Sequence, residues 1–200
     1  YGQLGHGDEQ RQLLPKKVEA FTDRRVVALS AGLNNSLALT AAGAVWSWGW
    51  GANGMLGHGD EQNQLLPKKV EVSAGQRAIG VSAGVAHSLA LTADGSVWSW
   101  GGGGFGQLGH GDEQRQLLPK KIEAFAGRRV VAVSAGDGYS FAITADGALS
   151  SWGGGTHGKL GHGDEQQKWQ PKKVAAWAGQ RVGAVSAGGN HNLALTADGS

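Results

Sequence analysis

Short apolar bursts of four to eight residues, each closed off by Gly, Asp, Asn or Pro, run the whole length of the chain. One stretch shows all the kinds: Arg77–Gly84 (RAIGVSAG), His87–Ala93 (HSLALTA), Ser96–Gly101 (SVWSWG) and Pro119–Ala124 (PKKIEA). Runs this short, rich in Val, Ile, Trp and Thr and bounded by turn residues, predict β-strands rather than helices. Asp94-Gly95 joins the second run to the third, and Asp146-Gly147 and Asp198-Gly199 recur at the same place, with Ala42-Gly43 as a weaker version. Asp-Gly between apolar runs is a strong hairpin signal. Successive strand residues point to opposite faces. Val27 and Leu29, or Ile79 and Val81, therefore share a face opposite Ala28 or Gly80, and Leu89 and Leu91 lie opposite Ser88, Ala90 and Thr92. Each sheet then has a bulky face that can stack on the small face of the next, as radially repeated blades do.

The pattern is periodic. Leu4, Leu56, Leu108 and Leu160 each open a Leu-Gly-His-Gly-Asp-Glu-Gln stretch, 52 residues apart every time. A fixed period of this size marks a repeat array. Trp46/Trp48 and Trp98/Trp100 recur in register, which points to packing between sheets rather than a ligand cage. The count runs from one outer strand over Pro15–Phe21, through three full cycles, to two final strands over Arg181–Gly188 and His191–Ala197, or 15 strands. The expected architecture is all-β: about four blades of four-stranded antiparallel sheet in one repeat region over residues 1–200, entered and left inside a blade. That is an arc of a larger ring, or a ring completed by another chain or by a swap.

Composition narrows the chemistry. The 36 glycines recur at fixed offsets, so they mark tight turns rather than low complexity. Net charge is +2, from 18 basic and 16 acidic residues, so a nucleic-acid partner is not expected. The absence of cysteine excludes disulfides and cysteine-based zinc or thiol chemistry. No apolar run is long enough to cross a membrane, and no secretory leader opens the chain, which begins at Tyr1 inside a repeat. These features lead to the expectation of an intracellular protein.

Few residues suggest catalysis. Gly80-Val81-Ser82-Ala83-Gly84 fits G-x-S-x-G, but a nucleophile elbow needs a strand-turn-helix, and here another strand follows. Gly49/Gly51/Gly54, Gly101/Gly103/Gly106 and Gly153/Gly155/Gly158 fit G-x-G-x-x-G with no helix after them, so they read as loop glycines. His6/Asp8, His58/Asp60, His110/Asp112 and His162/Asp164 supply two metal-capable groups per repeat, where a site needs three or four, so a side-chain-closed turn is expected. Lys16/Lys17, Lys68/Lys69, Lys120/Lys121 and Lys172/Lys173 fall on the predicted outer strand, where lysines protect an exposed edge. No enzyme activity, cofactor or metal is expected.

The repeats diverge in two places: the turn after Ser-Ala-Gly and the loop after Ser-Trp-Gly. Loops on one face are where repeat arrays keep their individual residues. The candidate partner-binding residues are Asn34, Asn35, Trp50, Asn53, His87, Phe105, Asp137, Tyr139, His157, Asn190 and His191, with Trp50, Phe105 and Tyr139 expected as exposed anchors. The third unit also departs from the others: Ser150 stands in place of the first Trp, and Trp169-Gln170 in place of Leu-Leu. Trp169 is expected to fill space or to mark a contact surface.

The string Ser82-Ala83-Gly84, HSLALT over His87–Thr92, Asp94-Gly95, VWSWG over Val97–Gly101, GQLGHGD over Gly106–Asp112 and Pro119 resembles the regulator of chromosome condensation repeat family along nearly the whole chain. The resemblance implies a β-propeller of four-stranded antiparallel blades, seven in the best-known members. It implies, first, a protein-interaction or scaffold module, an accessory or linking part of an assembly. The second reading is guanine-nucleotide exchange on a Ran-like small GTPase, which the best-known member performs with a wedge inserted from one repeat; here every step is 52 residues with no insertion. Chromatin binding follows from fold analogy alone. A light-sensing member carries Trp in the turn after Ser-Ala-Gly; none of the four turns here does, which disfavours that role.

Overall fold

A computed structural model describes residues 1–73 and 75–200. Its described residues form 14 strands. The first sheet holds β1 (Val26–Ala31), β2 (Asn35–Thr40), β3 (Val45–Gly49) and β4 (Gln64–Val70). The second holds β5 (Ala78–Ala83), β6 (His87–Thr92), β7 (Val97–Gly101) and β8 (Gln116–Lys121). The third holds β9 (Val130–Ala135), β10 (Tyr139–Thr144), β11 (Leu149–Gly153) and β12 (Lys168–Lys173), and β13 (Val182–Ala187) pairs with β14 (Asn192–Thr196). All pairings are antiparallel and follow chain order within each sheet. First strands touch in succession, β1 to β5 to β9 to β13, so they line the inner edge of an arc of blades. The protein is a partial β-propeller.

The blades stack as the side-chain sizes require. Leu37 and Leu39 of the first blade are buried with Ala83, Ala90 and Trp100 of the second; Leu89 and Leu91 of the second are buried with Ala135, Ala142 and Trp152 of the third. A main-chain oxygen fastens each seam. The Met55 carbonyl, in the β3–β4 loop, accepts from Trp100 Nε1 at 2.9 Å and Ser88 Oγ at 2.9 Å. The Gln3 carbonyl takes Trp48 Nε1 at 2.8 Å and Ser36 Oγ at 2.9 Å, and the Gln107 carbonyl takes Trp152 Nε1 at 2.8 Å and Ser140 Oγ at 3.0 Å. Ser30, Ser82 and Ser134 add a second fastening, each hydroxyl oxygen accepting an amide of the next blade's first strand at 2.9–3.0 Å. The tryptophans of the third strands are therefore packing residues.

Three expectations need correction. Residues 15–18 are not a strand, and Glu19–Phe21 form one 3-10 turn. Outer strands pair with the third strand of their own sheet, Ser47 opposite Lys68 and Ser99 opposite Lys120, and residues 15–18 have no such pairing among the described residues. Second, the outer strand begins before its proline, at Gln64 or Gln116, and Glu123–Phe125 turn into a 3-10 helix instead of continuing it. An edge strand tolerates the missing proline N–H. Third, the first strand does not alternate simply. A bulge leaves Val27, Ile79, Val131 and Gly183 without a partner on the second strand, and Val27, Ile79 and Val131 are 53%, 52% and 48% exposed. Leu29 is exposed as well, whereas its counterparts Val81 and Val133 pack against the blade before them. Trp169 fills space: it packs on Gly106 of the preceding loop, as Leu65 and Leu117 pack on Gly2 and Gly54.

Gly49, Gly101 and Gly153 close the third strands at φ +105°, where L side chains rarely sit. A Cβ at Gly101 would lie 2.6 Å from the Ala86 carbonyl oxygen. Gly101→Ala is expected to destabilise the protein by about 2–3 kcal/mol, combining backbone strain with a clash against fixed main chain. Urea unfolding measures it, and an unchanged midpoint refutes it.

Candidate interaction surface

Strand order places the turn between first and second strands and the loop between third and fourth strands at the same end of each blade. Hydrogen bonds tie the two together: Trp50 N to Asn34 O at 2.8 Å, Gly102 N to Ala86 O at 2.8 Å and Gly154 N to Gly138 O at 2.9 Å. The divergent positions thus form one rim.

On that rim Phe105 is 59% exposed, and its ring lies over the next blade, where a Cβ at Gly138 would meet its Cδ2 at 2.9 Å. Asn53 and His157 occupy the same step of their loops, exposed and at φ +58° and +62°. Trp50 is half-buried and stacks on Tyr1, ring centroids 5.4 Å apart. Asp137 and Asn190 are exposed, and Asn34 is half-buried. His191 holds the repeat position of Asn35, His87 and Tyr139, its ring against Gly188 as that of His87 is against Gly84, so it is not a rim residue. Lys159 Nζ donates to the Asp137 carbonyl at 3.1 Å and sits 4.9 Å from the Tyr139 ring centroid.

Asn35, His87 and Tyr139 lie elsewhere: they are 1%, 0% and 0% exposed, so Tyr139 is not the exposed anchor the sequence suggested. Each begins a second strand and points into the seam with the following blade. Asn35 Nδ2 donates to Ser88 Oγ at 3.3 Å, His87 Nε2 meets Ser140 Oγ at 2.8 Å, and Tyr139 Oη donates its one hydrogen to Asn192 Oδ1 at 2.6 Å, with the Gly188 carbonyl 2.9 Å away. Burial holds the His87 pKa down at about 4 and pushes the Tyr139 hydroxyl up to about 12. The alternation of strand faces, carried one residue back into the turn, is the signal that would have separated these three from their neighbours.

The repeated histidines are structural. His58 Nε2 lies 2.9 Å from Ser47 Oγ, whose hydrogen goes to the Leu56 carbonyl at 2.6 Å, so the imidazole N–H donates to the serine oxygen. His110 with Ser99 and His162 with Ser151 repeat this at 3.0 Å. Burial, then the neighbouring Lys120, depresses the His110 pKa to about 4. Asp60, Asp112 and Asp164 accept the amide two residues on, at 3.0 Å, closing the turn. Among the described residues no three His, Asp or Glu side chains converge as a metal site would require. Ser82, of the G-x-S-x-G match, accepts Ala135 N in the seam. Lys68/Lys69, Lys120/Lys121 and Lys172/Lys173 lie on the outer strands β4, β8 and β12, and Lys68 and Lys69 are exposed. No helix among the described residues is long and apolar enough to cross a membrane.

The Arabidopsis thaliana ultraviolet-B receptor UVR8 is 37% identical over the whole chain, which spans 46% of that protein. The human E3 ubiquitin-protein ligase HERC2 is 39% identical over 99% of the chain, which spans 4% of it. The chain thus covers less than half the length of these relatives. Among solved structures, human WBSCR16 superposes at TM-score 0.81 with 27% identity, covering 99% of this chain and 53% of that one. Yeast RCC1 (Prp20), solved bound to Kap60, superposes at 0.77 with 26% identity, covering 86% and 42%. The family model for the regulator of chromosome condensation (RCC1) repeat matches residues 1–39, 42–91, 94–143 and 146–195. With four matches in tandem across blades that share one topology, the chain belongs to the RCC1 repeat family.

Proposed function

We propose that this chain is a non-enzymatic protein-interaction module, one RCC1 repeat region over residues 1–200 that forms part of a larger ring and serves as an accessory or linking element of an assembly. The observation that carries the reading is the division of labour within the repeat. Its shared residues are taken up by seams and turns, whereas Trp50, Asn53, Phe105, Asp137, His157 and Asn190 differ between blades and gather on one rim with Asn34. An exposed aromatic amid small polar groups suits an interface anchor. The partner is expected to be another protein rather than nucleic acid, given the net charge of +2.

Phe105→Ala is expected to weaken partner binding roughly tenfold or more without changing the melting temperature, because the ring is mostly solvent-facing. The partner is identified by photo-crosslinking from position 105 in the full-length protein, and its affinity for wild type and variant is then measured by titration. Equal affinities would remove Phe105 from the interface. Faster release of labelled nucleotide from a Ran-type GTPase would replace the non-enzymatic reading with exchange.

A further inference from the structure

The third blade lacks an indole that the first two have. Trp46 and Trp98 stand opposite Lys69 and Lys121 in the β3–β4 and β7–β8 ladders; at the same step of the third blade, Ser150 stands opposite Lys173. In the first blade the Trp46 ring meets the Phe21 ring edge-on at 5.7 Å, and the Arg24 guanidinium lies 4.9 Å from its centroid. The third blade keeps the counterparts of both neighbours. Phe125 replaces Phe21 and meets Trp152 at 5.7 Å, as Phe21 meets the equivalent Trp48 at 5.8 Å, and Arg128 replaces Arg24. Where the indole would lie there is a cavity of about 470 Å³, lined by Arg128, Arg129, Thr144, Asp146, Ser150 and Lys173 among others. Ser150 and Thr144 are buried, whereas Arg128, Arg129, Asp146 and Lys173 are exposed around them.

We infer that this cavity is a docking site for an aromatic side chain, tryptophan above all, presented by an acidic segment of a partner protein. The chain itself supplies the template, because Trp46 shows an indole held beside the equivalent arginine within cation–π range. Three cationic side chains against one carboxylate at the lining favour acidic residues flanking the aromatic one. Asp146 already accepts bonds from Thr144 Oγ1 and Ala148 N, which leaves Arg128, Arg129 and Lys173 as the charged groups available to a partner. The cavity lies at the Asp-Gly end of the strands, opposite the rim of Phe105, so the two surfaces stand or fall separately.

The test is fluorescence anisotropy of the full-length protein with a labelled Glu-Glu-Trp-Glu-Glu peptide and the same peptide carrying Ala for Trp. The Trp peptide is expected to bind at least roughly tenfold more tightly, with affinity falling as salt is raised. Ser150→Trp restores the residue of the first two blades, fills the cavity from within and should abolish that preference. Arg128→Gln, at an exposed position that leaves the fold intact, should weaken the Trp peptide severalfold and the Ala peptide less. Equal binding of the two peptides, no binding of either, or a Trp preference that survives in Ser150→Trp would each overturn the inference. None of these outcomes touches the Phe105 rim, which is read by its own variant.

Discussion

Replacing Trp100 by Ala should lower the stability of the protein by about 4 kcal/mol, the upper range for truncating a buried aromatic. The indole is completely buried in the seam between the first two blades, packed with Leu37, Leu39, Val70 and Ala83. Its loss leaves a cavity that neighbours on two separate sheets cannot easily close. It also removes the Nε1 donor from the Met55 carbonyl. That carbonyl keeps Ser88 Oγ as a partner, so the hydrogen-bond share is modest, about 1 kcal/mol. Trp100→Phe separates the two: it keeps most of the apolar area and loses the donor, and should recover more than half of the deficit. Urea unfolding of the three proteins decides the matter. A Trp100→Ala loss below about 1 kcal/mol would mean that the seam does not hold the blades together.

Acid should weaken the protein through His87. The side chain is fully buried, meets Ser140 Oγ through Nε2, and has no partner for Nδ1. Burial lowers its pKa from 6.5 to about 4. Between those values the unfolded chain binds a proton that the folded one refuses, so stability rises with pH. The contribution is complete above pH 6.5 and is lost progressively as the pH falls to about 4. A gap of this size corresponds to about 3 kcal/mol. His58, His110 and His162 are shifted in the same direction, so the shared trend has to be removed. His87→Asn does this, because Asn occupies the same place in the first blade and does not titrate in this range. Unfolding free energies measured from pH 7.5 to 4 should fall more steeply for wild type than for the variant. Parallel curves would mean that His87 keeps an ordinary pKa.

Sequence pattern carried the fold because the repeat supplied its own controls. Asp94-Gly95 and its copies mark the hairpins, Leu89 and Leu91 mark the stacking face, and four copies leave little room for another register. Expectations failed where the local pattern depends on something outside the segment. Residues 15–18 have the composition of β4 and lack only a partner strand, and no inspection of Pro-Lys-Lys-Val reveals that. Val27 and Val131 look like core residues until the bulge turns them away from the ladder. The rim was legible as a region but not residue by residue. Asn34 and Asn35 are the same amino acid side by side, yet one lies near the surface and the other in a seam, because the second strand begins between them. The cavity at Ser150 was visible only as a departure from the repeat; that it stays open rather than being filled by Trp169 depends on where Trp169 packs.

The seam acceptors belong to four equivalent positions that hold three different amino acids: Gln3, Met55, Gln107 and Lys159. Only the carbonyl is used, and every residue type has one. A substitution there cannot delete the joint, so evolution can rewrite these side chains for other ends while the ring geometry is inherited intact. Lys159 shows the freedom in use: its oxygen takes the Asn192 amide while its ammonium reaches up to the rim. An architecture hinged on main-chain oxygens separates what must be copied faithfully from what can be improvised. That separation lets one 52-residue unit be duplicated and then specialised blade by blade.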